Sequence, residues 1–356
     1  MLRRRELCLV PLLALPSSRA ASSSDAFERI TPEAAGYDAA KLQALAGFLE
    51  RSGSESLLLL HQGRVFFEWG DIRRRRLVHS IRKCLLSSLV GRAVARGQID
   101  LQATLEQLGI DDLQPLSPAE KQARLLDLLA SRSGVYHPAA AESPAMEAAR
   151  PARGSAAPGS RYYYNNWDFN LVGALLEKAS GRSLYESFLD ELARPLGMRD
   201  YQGRIGRQRD AELDGYYQLE AEKSRYPAYH FRLSAHDLAL YGQLWLQRGR
   251  WQGRELVPAD WVTRSTQPIS LLEPEWGHAY GLLWDVLVPE AGSVHPPSFF
   301  HTGVDVHMLG VYPQHGLVLV HRVDTESEAG SRFQPLDLVR VIRQVHGARR
   351  PADARA

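Results

Sequence analysis

Apolar residues recur at helical spacing over residues 37–51, where Leu42, Leu45, Ala46 and Leu49 share one side. Residues 56–69 change period. Leu57 to Leu60, a turn at Gln62-Gly63, and Val65 to Trp69 predict a β-hairpin. Residues 81–96 return to the helical period through Leu85, Leu89, Val90, Ala93 and Val94, and Gly97 closes that helix. Further helices are predicted over 119–131, 170–180, 183–193 and 235–247. Between them, 138–160 is rich in Ala, Pro and Gly and reads as a long loop, a length that is uncommon unless the loop covers a site. Strand patterns follow over 280–288, 299–303, 307–312 and 317–323, then a last helix over 335–345. The order predicts an α/β (α+β) fold. The two early strands join the late ones in one mostly antiparallel sheet, a helical block is inserted beside it, and a cleft lies between them.

The composition belongs to a folded chain: 356 residues, 44% hydrophobic, 24% charged, formal net charge +2. That charge argues against a dedicated nucleic-acid binder, and Arg73 to Arg76 reads as a solvated run. Cys8 and Cys84 are too few for a disulfide scaffold or a Cys-rich metal site. Residues 1–20 have the order of an export signal: Arg3 to Arg5, an apolar stretch from Leu7 to Leu15, and Ser18-Arg19-Ala20 at the cleavage spacing. Export to the periplasm or medium is therefore expected, and no later segment reaches membrane-spanning length. Lysine is rare, with only Lys41, Lys83, Lys121, Lys178 and Lys223 beside 38 arginines. A lysine kept in such a chain points to chemistry that arginine cannot do, since arginine does not give up its proton.

Metalloprotease, phosphate-loop, dinucleotide and nucleophile-elbow signatures are absent, so no metal or cofactor is expected. One cluster stands out. Ser80 and Lys83 are three apart at a helix start, so hydroxyl and amine share a face at the positive end of the helix dipole. A serine becomes a nucleophile when a base takes its proton, and a lysine of lowered pKa is such a base. Two further elements keep it company: the run Pro158 to Asn166, containing Tyr164 and Asn166, and His301-Thr302-Gly303 in an apolar strand.

In this order the three elements resemble the penicillin-recognising serine hydrolases: serine β-lactamases, DD-peptidases and their esterase relatives. The resemblance is closest to the class C β-lactamase and esterase branch, with its SxxK, Tyr-x-Asn and His-x-Gly motifs. It extends to Leu128-Leu129 through Ser133-Gly134, Asn170 to Gly173, Ser180-Gly181, Pro195 to Met198 and Gly281 to Trp284. It implies the β-lactamase/transpeptidase-like fold, a sheet flanked by helices with an inserted all-helical subdomain. One domain is expected over 27–347, with its sheet part in about 27–99 and 256–347, its helical part in about 100–255, and a tail at 348–356.

The resemblance also implies roles. Ser80 is the nucleophile. Lys83 is the base, or half of a Lys–Tyr pair. Tyr164 relays protons, its phenol lowered by the nearby ammonium. Asn166 bonds substrate or Lys83. His301 and Thr302 line the strand wall, Gly303 lets substrate approach, and the amides of Ser80 and Val304 form the oxyanion hole. Asn165, Trp167 and Asp168 read as structural, and Cys84 as a packing residue. Arg322 is weighed as a carboxylate anchor against a structural arginine, which is preferred. His301 stands where many lactamases carry lysine, which favours an esterase or amidase on a small ester, amide or peptide. A β-lactamase, a D-amino-acid peptidase and a non-turnover β-lactam sensor are the alternatives. Oligomeric state is not legible.

Overall fold

The computed structural model describes residues 27–207, 209–289, 292–327 and 330–351. The export signal read at 1–20 lies outside the described residues, as do 352–356 of the tail. Helix α1 (Ala39–Ser52) starts where the Asp38 carboxylate accepts the amides of Ala40 and Lys41, and stops at Gly53 with φ +89°. Strands β1 (Ser54–His61) and β2 (Arg64–Gly70) form the expected hairpin. Its turn residues Gln62 and Gly63 both have positive φ, as a tight two-residue hairpin turn requires. A short β3 (Arg76–Leu77) and a 3₁₀ turn (His79–Ile81) feed α2 (Arg82–Ala95).

The inserted block carries α3 (Leu125–Leu129), α4 (Pro144–Ala149), α5 (Asn166–Ser180), α6 (Leu184–Phe188) and α7 (Arg194–Leu196). It is not helical throughout. Strands β4 (Ile205–Gly206), β5 (Gly215–Gln218) and β6 (Ala228–Leu233) join β3 in a small second sheet. The helix predicted over 119–131 is broken. Ala123 is extended, and at the start of α3 the Asp127 carboxylate accepts the Arg124 amide and guanidinium. The long loop over 138–160 holds α4, started by the Ser143 hydroxyl on the Met146 amide.

Beyond α8 (Ala235–Leu246), a β7–β8 hairpin (Arg250–Trp251, Arg254–Glu255) and α9 (Ala259–Ser265), the chain turns to strands. These are β9 (Ser270–Glu273), β10 (His278–Tyr280), β11 (Asp285–Leu287), β12 (Ser298–Gly303), β13 (His307–Tyr312) and β14 (Leu317–Val323), followed by α10 (Pro335–Gly347). The single strand predicted over 280–288 is two, because Gly281 to Trp284 make a buried turn. A Cβ on Gly281 would lie 2.3 Å from the Ser265 carbonyl oxygen.

The large sheet runs β2-β1-β14-β13-β12-β11-β10-β9, and every described pair in it is antiparallel. Both faces are covered, which explains why β1 reads as four consecutive leucines. Leu57 and Leu59 join the core under α1 and α10, while Leu58 and Leu60 join the core that holds α2, α5 and α8. Among the described residues no helix is long and apolar enough to cross a membrane.

Candidate active site

Ser80 is presented by a strained turn. His79, just before it, has φ +47°, a region that non-glycine residues rarely occupy. The ring that holds this shape is pinned: His79 Nε2 lies 2.8 Å from Thr325 Oγ1, and the imidazole stacks on His307 at 5.3 Å. The turn in turn rests on the end of β12. A Cβ on Gly303 would sit 2.5 Å from the Val78 carbonyl oxygen. Gly303 therefore makes room for the turn that carries the nucleophile. It also brings the two amides assigned to the oxyanion hole onto touching elements: Ser80 on the turn, Val304 just past β12, with φ +45°.

The first turn of α2 delivers Lys83 into the protein, where it is 1% exposed. Its Nζ lies 3.0 Å from Ser80 Oγ and 2.5 Å from Tyr164 Oη, and it sits over the rings of Tyr164 and Phe169 at 4.4 and 4.8 Å. Tyr164 is held edge-on against Phe169 and Tyr280. Hydroxyl and amine, three residues apart, and a phenol 81 residues beyond the amine meet in one chain of contacts.

Burial, helped by the Arg82 charge, holds the Lys83 ammonium well below the ordinary lysine range. Burial likewise pushes the Tyr164 phenol above its ordinary value. This corrects the expectation of a lowered phenol. Burial outweighs the lowering that the Ser80 contact and the Arg82 charge exert on the phenol. Burial thus shifts both groups toward their uncharged forms, the amine with a free lone pair and the phenol with its proton.

Asn165 caps α5, its Oδ1 accepting the Trp167 amide, and Trp167 Nε1 donates to Asp112, so both are structural as read. Asn166 donates through Nδ2 to the Ala141 carbonyl at 2.7 Å, and its Oδ1 is buried without a partner on the cleft wall. Its recorded bond is thus to the loop and not to Lys83. His301 is 2% exposed, and its Nδ1 lies 2.9 Å from the Thr302 carbonyl. That contact puts the ring proton on Nδ1 and leaves Nε2, which has no partner, as an acceptor. Burial lowers this imidazole to about 4, so it is neutral at pH 7 and brings a lone pair, not a charge, to the strand wall. Thr302 and Val304 complete that wall.

Arg322 is not in the cleft. Its Nη2 donates to the Arg76 and Leu77 carbonyls, tying β14 to β3, which settles it as the structural arginine. Cys84 is fully buried, with its thiol on the Ile81 carbonyl.

These groups border a cleft of about 760 Å³ between the large sheet and the insertion. Several of its residues were not singled out in the sequence. Asp285 on β11 faces His278 and His301, Met146 comes from α4, and Leu338, Val339 and Ile342 of α10 form an apolar wall. Arg82, inside the serine–lysine spacing itself, is buried at the cleft. The arrangement can take the serine proton onto a neutral amine, pass it through a phenol, and hold an acyl group away from bulk water.

Comparison with known proteins identifies the family and the fold. The family model described as Beta-lactamase matches residues 56–342. Among solved structures, an octameric penicillin-binding protein homologue from Pyrococcus abyssi superposes with TM-score 0.63 at 18% identity, covering 87% of this chain and 78% of that one. A penicillin-binding protein homolog from Caulobacter crescentus gives 0.59 at 14%, covering 87% and 97%. A class C beta-lactamase gives 0.62 at 13%, covering 86% and 96%. No curated protein matches the chain.

Proposed function

The chain belongs to the beta-lactamase family of serine hydrolases, and from that premise we propose that it cleaves an ester or amide bond through an acyl-enzyme on Ser80. The observation that carries this reading is the Ser80–Lys83–Tyr164 contact chain around an amine whose pKa burial lowers.

In acylation, Ser80 Oγ attacks the substrate carbonyl carbon as its proton moves to Lys83 Nζ. The amides of Ser80 and Val304 receive the developing oxyanion. Collapse breaks the bond to the leaving group. That group takes a proton from Tyr164 Oη, and Oη is refilled from the Lys83 ammonium. In deacylation, water gives its proton to the same pair and attacks the acyl carbon. Ser80 Oγ then leaves and regains its proton. The sum is one water consumed, one acid and one alcohol or amine released.

The neutral His301 supports a small ester or amide ahead of a β-lactam. A penicillin or cephalosporin carboxylate would find no lysine on this strand. The leader-like residues 1–20 support action outside the cytoplasm. The deciding experiment follows turnover of p-nitrophenyl butyrate, a cephalosporin and a D-alanyl amide by the parent and by Ser80→Ala. We expect the butyrate ester to have the highest kcat/KM, a transient mass adduct on Ser80, and a loss of about 10³-fold or more in the variant. Turnover unchanged in Ser80→Ala would remove Ser80 from its role, and an adduct that never turns over would make the protein a sensor.

A further inference from the structure

Arg82 lies two residues after the nucleophile and lines the same cleft, yet it is 3% exposed. Arginine does not neutralise itself when buried, so its charge calls for a counter-charge. Among the described residues no carboxylate is ion-paired with its guanidinium, and Nη1 is buried without any hydrogen-bond partner. What it does have is the ring of Tyr229, 4.7 Å from Cζ.

The acids of the cleft are engaged elsewhere. Asp285 lies 3.0 Å and Glu273 3.5 Å from the His278 ring, and Asp305 accepts from Thr302 Oγ1. The remaining candidates for anchoring an anion are weak, with Arg322 turned away into β3 and His301 neutral. Among the described residues lining the cleft, a permanent and unpaired cation therefore stands at one place, the start of α2 directly after the turn that carries Ser80.

We propose that Arg82 receives a carboxylate of the substrate, so that the enzyme selects esters or amides bearing a negative charge over neutral ones of the same size. A guanidinium offers a forked pair of N–H donors that matches a carboxylate. This deepens the Ser80 reading and rests on it, so the test separates the two.

Two matched pairs serve. One carries charge in the acyl half: mono-p-nitrophenyl glutarate against its methyl ester. The other carries it in the leaving half: 3-acetoxybenzoate against methyl 3-acetoxybenzoate. In at least one pair the charged member is expected to have the higher kcat/KM by about 10- to 100-fold, chiefly through KM. That ratio falls to near one in Arg82→Met and is partly kept in Arg82→Lys. Ratios near one for both pairs in the parent, or a ratio that survives Arg82→Met, overturn the proposal while leaving Ser80 untouched. Should Arg82→Met fail to fold, the parent ratios and Arg82→Lys decide. Should no ester turn over, binding of monomethyl glutarate is measured by NMR on parent and variants. Binding that needs Arg82 supports the proposal and faults the Ser80 reading alone, and no binding overturns the proposal.

Discussion

A lysine acts as a base only while its amine is unprotonated, and at position 83 the surroundings decide that. Below the Lys83 pKa the nitrogen holds its proton and cannot accept another from Ser80; above it, the lone pair is free. Burial moves that pKa down from the ordinary 10.5, so kcat/KM for ethyl butyrate, followed by pH-stat, should rise with pH and level off below that ordinary value. A rise still continuing at pH 10 would mean an ordinary lysine. The Tyr164 phenol is shifted the other way, so its ionisation should not cut activity within that range. Lys83→Arg keeps the charge and loses the base. We expect kcat to fall by about 10²–10⁴-fold, measured on the same ester with circular dichroism to show the fold intact. Ser80 and Lys83 were legible because a spacing of three puts them on one face of a helix start, and because lysine is scarce here. Tyr164 became legible only through resemblance, since nothing in the run Tyr162 to Tyr164 says which phenol points inward. Arg82 was hidden in plain view, because a sequence does not distinguish a buried arginine from the many that are solvated.

At the scale of elements, the site depends on how closely β12 and the 3₁₀ turn before α2 can approach. Gly303→Ala puts a methyl against backbone and not against a movable side chain. The turn must shift, so we expect kcat/KM to drop by about 10- to 100-fold, with a smaller loss of thermal stability, read from kinetics and melting together. The helices α1, α5, α8 and α10 were readable from their apolar period, as were β1, β2 and β12 to β14 from theirs. The small sheet was not. Gly215–Gln218 spans too few positions to display an alternation, and Ala228–Leu233 is buried at every residue. The turn at Gly281 to Trp284 passed for strand because a turn buried on both sides is as apolar as the strands beside it. That α10 would wall the cleft was likewise unreadable, since its apolar stripe looks the same whether it meets a sheet or also borders a substrate.

Across the whole molecule, histidines are a common vulnerability. Burial lowers His79, His301, His321 and His346 each to about 4. Their unfolded value is near 6.5. Between these limits the unfolded chain binds more protons than the folded one, so stability falls as pH falls. Melting temperature should therefore hold above about pH 7 and decline steeply from about pH 6.5 towards 4, as scanning calorimetry would register. A flat profile over that span would contradict the buried, neutral state of these rings.

The sheet order has a temporal consequence. Strand β14 lies between β1 and β13, so the early hairpin waits for a strand made much later in synthesis. Helix α10, which supplies the apolar wall, comes later still, and its end fastens back on the start through Lys41 Nζ and the Gly347 carbonyl, and through the Asp38 amide and the Ala348 carbonyl. A ribosome-bound fragment ending before residue 317 thus holds Ser80, Lys83 and Tyr164 without the scaffold that lines them up. Lining up the nucleophile with its base is thereby tied to the arrival of strands far from it in sequence.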